Sequence, residues 1–378
     1  NEIHKWKELE SIVSQTCEQF GYQEIRNPIF EETGLFARSV GEETDIVTKE
    51  MYSWEDVDGT SLTLRPELTA SVVRSYIQHN LGTISPIQRL YYSGPLFRRE
   101  RPQKGRQRQF HQFGVEAFGS NNPEQDVEII AIAWKILSLC GLANDTTLNL
   151  NSIGSKECRN NYRKALKDYI YPYIKDFSKT SQHRFETNPL RILDTKSEKE
   201  QEILNDAPKI SDYHNETDST HFESLKEFLK DIDLPFSINH KLVRGLDYYT
   251  GTVFEFNSVN LGAQDALLGG GRYNRLVETL GGKPTPGIGF AAGMERFLIA
   301  MEQSNFNIKK SNPDVYFICA DKKAIPRSIE ISSRLRSLNF KVVSDTLRRS
   351  IKSQLREANK LDVKYALIIG EDEIRNST

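Results

Sequence analysis

The chain has 378 residues, 38% of them hydrophobic and 27% charged, with 50 basic side chains against 52 acidic. That balance excludes a disordered polyelectrolyte, and the length points to two or three domains, each able to bury a core. No apolar run approaches the ~18 residues of a spanning helix, so no membrane association is expected. The N-terminal Asn-Glu-Ile-His-Lys-Trp has no apolar signal core, and Cys17, Cys140, Cys158 and Cys319 form no close pairs. A disulfide framework or clustered zinc site is therefore disfavoured, and a reducing, cytoplasmic setting is expected. Residues 313–378 carry 13 basic and 9 acidic side chains. This mild excess permits a polyanionic partner, although charge runs are usually solvated faces.

Trp6, Leu9, Ile12, Val13, Cys17 and Phe20 fall on one face of a helix that Gly21 stops. Extended stretches follow at 22–25 and 28–31, then a polar loop or hairpin over 41–58, a strand at 61–64 and a helix at 69–79. Two β-rich stretches, 90–98 and 109–118, are joined by 99–108. A helix over 123–140 has Pro123 in its first turn and Gly141 at its end. The composition then changes: 151–235 is polar, charged and helix-rich, with no glycine between Gly154 and Gly245, and reads as an inserted helical subdomain. Strand signals return at 248–256. Gly269-Gly270-Gly271 and Gly281-Gly282 flank a short helix, 287–290 reads as a strand and 291–301 as a helix. After a linker at 309–313, strands at 315–319, 341–343 and 365–369 alternate with helices at 325–338 and 347–359, the pattern of a small α/β domain with a largely parallel sheet. The chain stops just after its third strand, so this domain looks incomplete. The expected division is 1–150 and 236–308 for one domain in two parts, 151–235 for the insertion and 313–378 for the last domain.

Three segments carry chemistry. Between Arg98 and Arg108 sit six basic residues and one acid, a density suited to a triphosphate or nucleic-acid backbone, since arginine forks onto two phosphate oxygens; an exposed basic hairpin is the plainer alternative. Gln112 and Glu116 follow at even spacing, so both face one side of a strand, where an amide and a carboxylate suit a small polar cation. Second, Leu-Val-Arg244-Gly-Leu-Asp-Tyr248-Tyr249-Thr-Gly-Thr-Val-Phe-Glu-Phe places an arginine before an aromatic strand; paired tyrosines more often serve core and rim. Third, Gly-Ile-Gly-Phe-Ala-Ala-Gly-Met-Glu-Arg296-Phe-Leu puts small residues before an arginine, allowing close backbone approach. Alone it is a weak phosphate-loop look-alike.

Together these segments resemble the class II aminoacyl-tRNA synthetases and, within them, the histidyl-tRNA synthetase family, over about residues 5–375. Arg98 and the loop to Gln112 look like the second class-defining motif, and PGIGFAAGMERF like the third. LVRGLDYYTGTVFEF is similar to the histidyl signature, GGGRYNRLVETLGG resembles a second histidyl stretch, and Arg65-Pro66-Glu67-Leu68-Thr69 resembles the end of the histidine-pocket strand. Two departures stand out: Leu68 occupies a position where the family usually has glycine, and the segment resembling the anticodon-binding domain ends early.

The resemblance implies an α+β catalytic domain of class II synthetase type with an antiparallel sheet, a helical insertion and a C-terminal α/β anticodon-binding domain. It implies activation of L-histidine by ATP with Mg²⁺, then transfer to the 3' end of tRNA(His). Arg98 and Arg244 become catalytic cations at the α-phosphate, Arg296 a γ-phosphate clamp and Phe110 an adenine platform, although a core role for Phe110 is as probable on pattern alone. Glu67, Thr69 and Gln112 would meet the α-amino group, with Leu68 on the rim, and Glu116, Tyr249 and Tyr248 the imidazole. Arg101, Gln103 and Arg108 would meet the tRNA acceptor end, and no protein metal cage is implied. A homodimer is implied, paired about residues 5–31, with the apolar face of the first helix partly covered by the partner. The competing reading is a non-catalytic, histidine-sensing regulatory subunit of ATP phosphoribosyltransferase. That subunit is expected to lack the RGLDYY stretch and the anticodon-binding domain.

Overall fold

The computed structural model describes residues 2–41, 44–101, 106–261, 265–306 and 312–376. Two compact units separate at Phe306/Asn307. In the first, α1 (Ile3–Gln19) is followed by β1 (Gln23–Glu24), β2 (Phe30–Glu32), α2 (Thr33–Val40), β3 (Tyr52–Glu55) and β4 (Ser61–Leu64). Next come α3 (Thr69–Gln78), a single turn α4 (Leu81–Ile84), β5 (Gln88–Phe97), β6 (Gln109–Phe118), α5 (Pro123–Leu139) and β7 (Thr146–Ser152). The helical stretch holds α6 (Lys156–Ile170), α7 (Lys179–Thr187), α8 (Glu198–Ile203) and α9 (Glu216–Asp231). The unit closes with β8 (Ser237–Ile238), β9 (Thr250–Ser258), β10 (Ala266–Arg272), α10 (Leu276–Thr279), β11 (Gly287–Gly293) and α11 (Met294–Gln303).

Eight strands make one sheet in the order β1-β5-β6-β11-β10-β9-β7-β8. Its six central strands are antiparallel, and only the two-residue edge strands β1 and β8 pair in parallel. β2, β4 and β3 form a separate small sheet. α5 and α11 pack against β6 and β11, with Phe113 of β6 meeting Phe297 of α11 edge to face at 5.2 Å. Alternation along β6 then turns Gln112 and Glu116 to the opposite face.

Several expected boundaries move for physical reasons. The 291–301 helix starts only at Met294, because Ala291, Ala292 and Gly293 extend β11 and pair with Gly114, Phe113 and Gln112; sheet pairing overrides alanine's helix preference. The triple glycine lies inside β10, and β7 is a further strand of the main sheet that ends at Ser152, inside the stretch expected to be helical. Tyr248 and Tyr249 precede β9 rather than open it. Helices α6 to α8 share a core with the sheet and the loop before β9: Tyr162, Leu166, Ile170, Phe185 and Ile192 cluster with Leu242, Tyr249 and Val253. On the apolar face of α1, Leu9, Val13 and Cys17 are buried beneath α5 and α11 of the same chain, while Trp6, Ile12 and Phe20 stay half-buried. A buried ion cluster ties three elements together: Arg272 of β10 donates from Nε to Asp126 of α5 at 2.8 Å, and His221 of α9 lies 3.3 Å from the same carboxylate.

The second unit holds β12 (Val315–Cys319), α12 (Ile325–Ser337), β13 (Val342–Ser344), α13 (Ile351–Lys360), β14 (Tyr365–Ile369) and α14 (Glu371–Asn376). Its strands run parallel in the order β13-β12-β14. α13 begins four residues later than the pattern predicts. Arg348 is left-handed, at φ 53°, and Asp345 accepts from both the backbone N–H and Nε of Arg349, each at 2.7 Å, so a loop holds 345–350. No helix of the described residues is long and apolar enough to cross a membrane.

Candidate functional site

Two cavities on the open face of the sheet share one wall, made by Arg98, Gln112, Arg244, Gly269 and Ala291. The first is lined by Arg98, Arg106, Arg244 and Arg296 against only Glu100 and Glu295, with Phe110 on its side. Arg98 follows the end of β5, its Nε donating to the Pro66 carbonyl at 2.8 Å and its guanidinium 5.2 Å from the Phe110 ring. Burial draws its pKa down, while Glu100, Glu50 and Glu67 work the other way. Arg296 stands on α11 and donates to the Ala266 carbonyl at 3.0 Å; burial and then Arg106 lower its pKa. Arg244 is half-buried and ion-paired with Glu255. Burial opposes its charge, but Glu255 and Tyr249 hold its pKa above the ordinary value. Such a cationic wall fits a polyphosphate.

The second cavity is lined by carboxylates and hydroxyls. Glu67 lies in the turn before α3 and caps it, accepting from the backbone N–H groups of Thr69 at 2.7 Å and Ala70 at 2.9 Å. Burial raises its pKa, and those two N–H groups oppose the rise. Glu116 accepts from the Thr69 hydroxyl at 2.7 Å, from Tyr92 at 3.4 Å and from Tyr273. Burial pushes its carboxyl up to about 8, against the pull of the Tyr273 and Thr69 hydroxyls. Gly289 on the neighbouring β11 makes room for it, since a Cβ there would sit 1.8 Å from Glu116 Oε2. The rings of Tyr248 and Tyr249 lie 4.7 Å apart, and Tyr248 meets Tyr273 edge to face at 5.7 Å. Leu68 lines the same wall and packs in the cluster of Val72, Tyr76 and Tyr92, so its side chain is accommodated by the core rather than projecting as a loose rim.

Eleven residues anticipated from sequence thus line the paired cavities: Arg98, Phe110, Gln112, Arg244 and Arg296 in the first, and Glu67, Leu68, Thr69, Glu116, Tyr248 and Tyr249 added by the second. Arg101 and Arg108 do not line them; both are exposed on the connection between β5 and β6, where the Arg108 carbonyl accepts from the Arg98 N–H at 2.9 Å. Gln103 lies outside the described residues. Sequence reasoning missed Tyr92, Tyr273 and Glu255. Tyr273 sits inside the GGGRYN stretch and Glu255 inside the aromatic strand segment, so both were in view without a role, and Tyr92 was hidden among ordinary strand residues. Among the described residues no group of three or more His, Cys, Asp or Glu side chains is placed to hold a metal. A polyphosphate in the first cavity and a small amine with a polar side chain in the second would meet at Arg98 and Arg244.

A family model described as histidyl-tRNA synthetase matches residues 1–297, and one described as an anticodon binding domain matches residues 314–378. The chain is 46% identical over 377 residues to a histidine–tRNA ligase of Cyanothece sp., covering 100% of this chain and 87% of that protein. It is similar to the crystal structure of apo S. aureus histidyl-tRNA synthetase, with TM-score 0.81 and 38% identity over 99% of this chain and 89% of that one. A Bacillus halodurans structure described as an ATP phosphoribosyltransferase regulatory subunit/histidyl-tRNA synthetase shares the fold, with TM-score 0.67 at 20% identity, over 96% of this chain and 93% of that one.

Proposed function

Because the chain belongs to the histidyl-tRNA synthetase family, we propose that its two cavities carry out the reaction of a histidine–tRNA ligase. The protein is an ATP-dependent aminoacyl-tRNA ligase whose substrates are histidine and tRNA. One observation carries the assignment of its site: the cation-lined cavity and the carboxylate-lined cavity meet at Arg98, Gln112 and Arg244. A carboxylate oxygen of histidine attacks the α-phosphorus of ATP there, a P–O bond forms, and pyrophosphate leaves. The 3'-terminal ribose hydroxyl of tRNA(His) then attacks the acyl carbon and AMP leaves.

In this reading Arg98 and Arg244 hold the α-phosphate oxygens as their charge grows, Arg296 holds the γ-phosphate, and adenine lies on Phe110. Positioning and fixed cations supply most of the catalysis. Glu67, Thr69 and Gln112 receive the α-amino group beside Leu68, and Glu116 with Tyr249 and Tyr248 receives the imidazole. An acceptor tuned to an imidazole N–H rejects side chains lacking one by as much as ~10⁴-fold. Glu100 Oε2 is buried without a hydrogen-bond partner and lies 3.4 Å from Arg106. With no three-residue cluster among the described residues, this donor set fits Mg²⁺ carried chiefly by the phosphates, with Glu100 as its protein ligand. The ion would offset phosphate charge. Arg101, Gln103 and Arg108 meet the acceptor end.

A homodimer through residues 5–31 fits the exposure of Ile29 (46%) and Phe30 (50%), which stand out beside the half-exposed Trp54. Sedimentation at micromolar concentration is expected to show the dimer; a stable monomer would overturn it. A cytoplasmic setting fits the four free cysteines.

Histidine-dependent ATP–pyrophosphate exchange tests the function, with other amino acids silent. Arg244→Ala is expected to lower that rate by ~10²–10³ while leaving histidine affinity mostly intact. Exchange within a fewfold of the parent would remove Arg244 from the chemistry.

A further inference from the structure

We propose that Asn257 and Asn149, which line neither cavity of the site, are positioning residues that hold Arg244 against the α-phosphate through Glu255. The proposal rests on the reading of Arg244 given above.

Gly269 of β10, Glu255 of β9 and Asn149 of β7 are direct cross-strand neighbours, and Asn257 lies two residues beyond Glu255 on the same face of β9. Arg244 reaches over this row from the loop before β9. Its guanidinium lies where a side chain on β10 would otherwise stand, since a Cβ at Gly269 would come within 2.3–2.4 Å of Arg244 Nη2, Cζ and Nη1. Nη1 donates to Glu255 Oε2. The other oxygen, Oε1, accepts from Asn257 Nδ2 at 2.9 Å, and Asn257 Oδ1 accepts from Asn149 Nδ2 at 2.9 Å. Each amide is thus oriented by the next, and both ends of the Glu255 carboxylate are tied.

A third cavity, of about 370 Å³, explains why such a chain is needed. It is lined by Arg244, Glu255, Asn257 and Asn149 together, so the guanidinium has room to leave the phosphate side if Glu255 turns. Two neutral amides fix the carboxylate without competing for its charge, which stays with Arg244. The Nε–H of Arg244 is buried and has no hydrogen-bond partner, a donor still free for a phosphate oxygen.

The full chain is assayed by ATP–pyrophosphate exchange. Asn257→Ala is expected to lower kcat about tenfold, the size of a coupling between contacting side chains, with KM for histidine within twofold. In the Arg244→Ala background, read at higher enzyme concentration, the same substitution is expected to change nothing further. Asn149→Ala should give the same kcat-only pattern to a smaller extent, and it carries the test if Asn257→Ala fails to fold. Parent-like kcat in both variants, an equal loss in both backgrounds, or a loss confined to KM would each overturn the proposal. Near-parent exchange by Arg244→Ala itself would overturn the role of Arg244 and this inference with it. An inactive Arg244→Ala beside fully active asparagine variants would overturn this inference alone.

Discussion

Glu116 and Asp126 are carboxylates buried in the same unit, exposed by only 1% and 0%, yet they hold protons very differently. Glu116 is surrounded by the hydroxyls of Thr69, Tyr92 and Tyr273, with Glu67 close enough to add like charge; burial prevails and its pKa rises to about 8. Asp126 suffers the same burial, but Arg272 and His221 supply charge and hydrogen bonds that bring it below its ordinary value. Hydroxyls satisfy geometry without neutralising charge. A carboxylate given its own arginine is a fixture of the fold, whereas one given only hydroxyls has no cation beside it, which suits the imidazole-binding role proposed for Glu116.

That contrast can be broken at either end. The largest effect is expected from Arg272→Met, which strands the Asp126 charge in the core: about 3–5 kcal/mol of stability lost at pH 7, read by urea unfolding. A loss below about 1 kcal/mol would mean that Asp126 does not depend on its arginine. Glu116→Gln comes next, weakening histidine binding roughly ten- to a hundredfold while ATP binding changes less than twofold; titration of both ligands against the folded variant decides, and equal weakening would make Glu116 a structural strand residue. Stability against pH separates the two carboxylates as well. Because the folded pKa of Glu116 lies above its unfolded value of 4.5, its contribution is full below pH 4.5 and is lost as pH rises through about 8. The difference between the parent and Glu116→Gln should therefore shrink across that window in ligand-free protein, and parallel curves would contradict it. Asp126 runs the other way: its contribution holds above pH 3.8 and fades as pH falls through its lowered folded value.

The sequence showed most of what local signals encode. Pro123 and Gly141 bracket α5 as expected, and the even spacing of Gln112 and Glu116 placed both in the site. β7 was readable, because Leu148 and Leu150 alternate with Asn149 and Asn151, but a composition change begins just there and masked it. β10 could not be read that way. Gly269 and Gly270 have poor strand propensity, and their reason for being there is tertiary: an arginine crosses one, and at the other a Cβ would sit 2.2 Å from the Gly289 carbonyl oxygen. The same holds for Tyr273 and Glu255, whose partners are distant in sequence and meet them only once the strands pair.

A Cβ at Gly289 would sit 1.8 Å from Glu116 Oε2 and 2.4 Å from the Val115 carbonyl oxygen, so position 289 is closed from two directions. Shortening residue 116 would remove one obstruction and leave the backbone one standing, and the hollow it opens could not be refilled from 289. Engineering for another amino acid therefore has to keep glycine at 289 and rebuild the pocket from 116 and the side chains that face it.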